Sequence, residues 1–161
     1  MDMYVGHGNH TIQGIEIYKG RPIFYNLGNF SVHRFGTDND VPAGSRMTSL
    51  ERNEVGDQYF QEDNNLVALV AQTRYQDGKL QEIRLYPVDL GVGRTRVWSK
   101  MNVPMTPAPA LAQKILADVQ AYSAPFGTKI SIENNIGVIR VPPEATVDVD
   151  GDLGVFGSRQ E

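Results

Sequence analysis

The chain has 161 residues, 40% of them hydrophobic and 21% charged, a balance that suits one globular domain with its own core. A net charge of −4 argues against a general nucleic-acid partner, which selects for a basic face, and no run of about eighteen apolar residues is present to span a membrane. Cysteine is absent, which excludes disulfides and thiolate chemistry and restricts any metal to imidazole and oxygen donors.

In chain order, "DMYV" reads as the end of a short strand that runs straight into the glycine-rich loop "GHGNHTIQG". Residues 1–8 show neither a basic leader nor an apolar stretch of signal-peptide length, so the sequence leaves the compartment open. Ile12, Ile15 and Ile17 alternate through "TIQGIEIYKG", "YKGRP" turns the chain, and "PIFYNLGNF" follows as a more apolar strand. Residues 12–28 are therefore expected to form a hairpin. Residues 31–65 are polar and rich in Gly, Asp and Asn. So long a segment without pattern is expected to be a surface insertion, or a loop ordered against a partner.

Pattern resumes at "LVALVAQTRYQDGKLQEIRLYPVDL", where Asp77-Gly78 is a two-residue turn signal because both positions tolerate positive φ. The arm "LVALVA" is apolar on both faces and is expected inside a sheet. The returning arm alternates Leu80, Ile83 and Leu85 with Gln81, Glu82 and Arg84, as a half-exposed strand does. Pro109 can open a helix, Leu111, Ile115, Val119 and Tyr122 fall on one face of it, and Pro125 marks its end. "TKISIENNIGVIRV" predicts a last short pair of strands, and from Pro142 the tail is acidic and weakly patterned.

The main chemical candidates are His7 and His10, two of the chain's three histidines. Neutral imidazole binds first-row metals well, and a glycine-rich turn at a strand end lets two side chains converge. Spacing alone carries little weight, since two loop histidines three apart are usually just solvated. His33 in "FSVHRFG" has no partner in the sequence and reads as a surface or packing residue. Arg94 and Arg96 could meet an anion, but scattered surface cations are the simpler reading. In "DVDGD", Asp148, Asp150 and Asp152 occupy the first three ligand positions of an EF-hand loop. Leu153 then stands where glycine is needed and Arg159 where glutamate is, so a solvated acidic turn is expected.

Residues 6–30, "GHGNHTIQGIEIYKGRPIFYNLGNF", closely resemble the final signature of the CapA family, metallophosphoesterase-like proteins linked to poly-γ-glutamate capsule synthesis. That signature runs from a Gly/His loop through "GIEIYKG.PI.Y" to "LGNF". "GNH" at Gly8–His10 also fits the middle motif of metallophosphoesterases, but an acidic residue should follow there and Thr11 does. The resemblance continues more loosely through the "PV"-ending hairpin and the helix and strands that close at Val141.

The resemblance implies a β-rich α/β fold, the C-terminal half of a calcineurin-like two-sheet sandwich with outer helices, over residues 1–141, with an acidic tail at 142–161. It implies a dinuclear site for Mn, Fe or Zn ions, to which His10 and, less directly, His7 contribute. Many family members space the two histidines around a proline whose place Asn9 takes here. Glu16 could orient a metal ligand, although a solvent-facing strand position is the simpler reading; Asn29 matches the family, and Asn26 stands where serine is common.

The calcineurin-like site that the resemblance implies also needs an Asp-x-His at the end of an early strand, a bridging Asp, which sets the metal spacing, and then an Asn and further histidines. No Asp-x-His occurs, and the Gly-Asp pairs at Gly56-Asp57 and Gly151-Asp152 do not sit in strand-to-loop patterns. The remaining ligands are therefore expected upstream of Met1, in a missing N-terminal half, and the isolated chain is expected to be nearly inactive. Expected partners are that half, a self-associated copy, or a capsule-synthesis complex, with the cell envelope or an extracytoplasmic space as the implied location. Complete, the protein would be a metal-dependent phosphoesterase-type hydrolase. The alternatives are a non-catalytic assembly component and an inactive remnant.

Overall fold

The computed structural model describes residues 2–30, 66–92 and 103–142, and among these it contains two sheets and one α-helix. The first sheet comprises β1 (Tyr4–Val5), β2 (Ile15–Tyr18) and β3 (Arg21–Phe24) in the order β1-β3-β2. β2 and β3 form the expected hairpin, with Ile15 opposite Phe24 and Tyr18 opposite Arg21. Lys19 and Gly20 close it with φ of 49° and 74°, the primed turn whose twist matches paired strands.

β1 runs parallel to β3, with Tyr4 opposite Ile23 and Val5 opposite Phe24. The segment between β1 and β2 must therefore reverse the chain and cross the end of β3 that leads into residues 25–29. That crossing segment is the histidine loop.

The second sheet is antiparallel, with β4 (Val67–Gln76), β5 (Lys79–Asp89), β6 (Ser131–Glu133) and β7 (Ile136–Arg140) in the order β4-β5-β7-β6. Asp77-Gly78 makes the predicted turn, with φ of 49° and 73°. "LVALVA", expected inside the sheet, instead lies at its edge among the described residues, and Val70 is 40% exposed. β5 takes the interior place because β7 pairs with its other side through Glu82–Leu85. The two-faced apolar pattern of β4 has a different cause. Leu69 faces the main core, whereas Ala68 joins Leu66, Val88 and Leu90 in a separate buried cluster.

Among the described residues, backbone contacts join the sheets: the Leu69 N–H donates to the Leu27 carbonyl at 2.8 Å, and Gly28 bridges to Ala68. The helix α1 (Pro109–Ser123) begins at its predicted proline and passes into a 3-10 turn at Ala124–Phe126. It touches β2 in one sheet and β5 and β7 in the other. Its buried stripe is Ala112, Ile115, Leu116, Val119 and Ser123, while Tyr122, predicted to face inward, is 47% exposed. The helix is rotated so that Leu116 meets Gly137 and Ser123 meets the backbone of Ile15. Ile12, Ile15 and Phe24 thus share one core with Ile83, Leu85, Leu116 and Val119.

No helix among the described residues is long and apolar enough to cross a membrane. The 31–65 segment with His33, Arg94, Arg96 and the Asp148–Asp152 tail all lie outside the described residues.

Candidate functional site

The histidine loop leaves β1 at Gly6, whose N–H donates to the Phe24 carbonyl at 2.7 Å. A Cβ at Gly6 would stand 2.4 Å from the Tyr25 carbonyl oxygen, so only glycine lets the loop pass this close to the end of β3. The far end of the loop is pinned by a second exchange: Gln13 N–H donates to the Asn26 carbonyl at 2.9 Å, and Tyr25 N–H to the Gly14 carbonyl at 3.2 Å.

Between these anchors the loop rests on two buried asparagines of the turn that follows β3. Asn26 is 4% exposed and Asn29 is 7% exposed. The Asn26 side chain accepts the Gly28 N–H at 2.8 Å and donates through Nδ2 to Asn9 Oδ1 at 2.5 Å. Asn29 Oδ1 stands 2.8 Å from His10 Nδ1. An amide oxygen only accepts, so the neutral imidazole carries its proton on Nδ1 and its basic lone pair on Nε2. His10 also holds a φ of 62°, a left-handed conformation uncommon outside Gly, Asn, Asp and His. Backbone strain of this kind persists where surrounding contacts hold it.

His7 is exposed on the same loop. Glu16 points elsewhere: its Oε2 accepts the Tyr25 hydroxyl at 2.7 Å. That bond, with a smaller contribution from burial, raises the Tyr25 phenol above its ordinary value. Tyr25 in turn stacks on Phe126, with ring centroids 5.0 Å apart. Of the residues singled out from sequence, the structure therefore brings Asn29 to His10 and commits Glu16 to Tyr25.

The donor chemistry suits part of a metal shell: one imidazole with a defined tautomer and one exposed imidazole nearby in sequence. Among the described residues no three His, Cys, Asp or Glu side chains converge, and a catalytic zinc generally takes three protein ligands. The residues present could thus contribute to a metal centre, with further ligands needed from elsewhere.

The Asn9–Asn26 contact was not legible in sequence. Its signal was the pair Asn26 and Asn29 in "YNLGNF", which reads as turn chemistry until the parallel pairing of β1 puts the loop across that turn.

Residues 1–34 match the model of a family described as bacterial capsule synthesis protein PGA_cap. Two relatives are uncharacterized proteins of Sinorhizobium fredii (strain NBRC 101917 / NGR234), y4sH and y4uA. Each is 36% identical to the chain over 160 residues, covering 87% of it. The chain spans 34% of the length of these relatives.

Proposed function

We propose that the chain is the C-terminal portion of a CapA-like protein of capsule synthesis, built on a calcineurin-like metallophosphoesterase fold, in which His10 and His7 complete a divalent-metal site. The observation that carries this reading is the 2.8 Å contact between His10 Nδ1 and Asn29 Oδ1, which lies inside the segment matched by the capsule-synthesis family. Ligating histidines typically give their other ring N–H to an oxygen acceptor, which fixes the tautomer and aims the lone pair. Asn29 supplies that acceptor and is itself buried.

In this reading the chain's own residues orient the ligands. Asn26 holds Asn9, Asn29 holds His10, and Gly6 brings the loop against the end of β3. A bound metal pair would supply Lewis acidity and an activated water for attack on a phosphate ester. The other ligands would come from the N-terminal half of the same domain. The rim of the first sheet supports such a neighbour: among the described residues β1 is a parallel strand at an edge, and Met3, Tyr4 and Val5 are each nearly half exposed. Parallel strands are usually covered on both faces.

The test begins with the coding sequence upstream of Met1. An open frame carrying an Asp-x-His supports the reading. The extended chain should then hydrolyse bis-p-nitrophenyl phosphate with added Mn²⁺, and His10→Ala should reduce the rate at least about a hundredfold. Activity in the extended chain that is indifferent to His10→Ala overturns the metal role. Hydrolysis by residues 1–161 alone, lost on His10→Ala, overturns the dependence on upstream ligands.

A further inference from the structure

A second feature lies beside the histidine loop and uses neither histidine. An open cavity of about 600 Å³ sits between residues 11–14 and the last turns of α1, within the range of small-ligand sites. Ile12 and Ile115 contribute buried apolar surface to it, and three aromatic rings line it: Tyr25, Tyr122 and Phe126. These rings are 37%, 47% and 44% exposed, and Tyr25 and Phe126 stack on each other with centroids 5.0 Å apart.

The electrostatics of the lining have one sign. Among the described residues that line it, Asp118 is the charged side chain and no Lys, Arg or His joins it. The cavity also faces the C-terminal end of α1, where the helix dipole concentrates partial negative charge, and the last turn carries no basic residue to offset it. Outside the lining itself, a second carboxylate, Glu16, accepts the hydroxyl of the lining residue Tyr25 at 2.7 Å. Aromatic rings beside a carboxylate attract cations through the ring quadrupole as well as through charge, and alkylated ammonium groups match both.

We propose that this cavity binds a small alkylated ammonium cation, seated against Tyr25, Tyr122 and Phe126 with its charge toward Asp118. Lys114 Nζ already lies 2.9 Å from Asp118 Oδ2, but both side chains are largely exposed, 62% and 41%, and such pairs are weak. Lys114 thus acts as a tethered competitor, and an incoming cation shares or displaces it. The proposal is independent of metal binding at the histidine loop.

The test is an amide NMR titration of residues 1–161 with choline and with its neutral isostere 3,3-dimethylbutan-1-ol. Choline is expected to bind about tenfold more tightly than the alcohol, with shifts concentrated at residues 11–14 and 118–126. Asp118→Asn and Tyr122→Ala should each weaken choline by about threefold or more, Tyr122→Phe should retain it, and Lys114→Ala should bind at least as tightly as the wild type. His10→Ala should leave choline binding unchanged, which separates this result from the fate of the metal reading. Equal binding of choline and the alcohol, or indifference to Asp118→Asn, overturns the proposal.

Discussion

The backbone N–H of Ile15 donates to the hydroxyl oxygen of Ser123 at 3.0 Å, across 108 residues of sequence and with both residues fully buried. This bond ties the start of β2 to the last turn of α1 and so fixes the helix relative to the histidine-bearing sheet. Ser123→Ala leaves that N–H buried and without its acceptor. The variant is expected to lose about 1–3 kcal/mol of stability, read as a lower urea midpoint at unchanged slope.

Gly28 and Gly78 both have positive φ, 83° and 73°, and predict different outcomes. A Cβ at Gly78 meets nothing within 4 Å, so Gly78→Ala should cost only the left-handed backbone term, about 1–2 kcal/mol. A Cβ at Gly28 would stand 2.6 Å from the Val67 carbonyl oxygen and 3.1 Å from the Ala68 Cα, both backbone atoms at the junction of the sheets. Gly28→Ala adds an overpacking cost of about 1–3 kcal/mol to the same term. Parallel urea melts should therefore rank Gly28→Ala well below Gly78→Ala; equal losses would show that the junction yields freely.

The Asn29 contact makes a prediction about a proton. Long-range ¹⁵N–¹H spectra of the chain with its imidazole rings neutral should show the His10 ring proton on Nδ1, and Asn29→Ala should abolish that preference. In the metal-loaded extended chain the same substitution should weaken metal binding by about ten- to a hundredfold, because the ring loses its orienting acceptor.

Tyr25 should titrate above the ordinary phenol value of 10.0, chiefly because its hydroxyl donates to Glu16. A raised folded-state value means that the folded chain holds this proton more strongly than the unfolded one. Its contribution to stability is complete below pH 10.0 and is lost as pH rises through the raised value. Selective ¹³C labelling of tyrosine, assigned with Tyr25→Phe, reads the titration. Glu16→Gln should move the Tyr25 midpoint downward, and no movement would rule out the carboxylate as the main cause.

The hairpins were legible because their signals are local. Asp77-Gly78 and Lys19-Gly20 sit between strand-like runs, and primed turns need the positive φ that Asp77, Gly78 and Gly20 tolerate. Pro109 and Pro125 bracketed α1 for a similar reason, since proline limits the backbone wherever it stands. The position of β4 was not legible. An apolar run on two faces is compatible with an interior strand, yet here the second face is covered only at Ala68, by Leu66, Val88 and Leu90, while Val70 on the same face is 40% exposed.

The sequence by itself determined the turns, the strand and helix periods and the histidine loop with its family resemblance, because each is written in residues a few positions apart. Only the tertiary structure decided what that loop rests on. The parallel pairing of β1 with β3 carries residues 6–14 across the end of β3, and that crossing sets His10 on Asn29 and Asn9 on Asn26. It also decided that Tyr122 faces outward beside Tyr25 and Phe126, because burying Ser123 against Ile15 rotates α1 away from the stripe its periodicity suggests. Strand order and helix rotation are chosen by long-range pairing and by the need to satisfy buried polar groups. No window of local sequence contains both partners of such a choice.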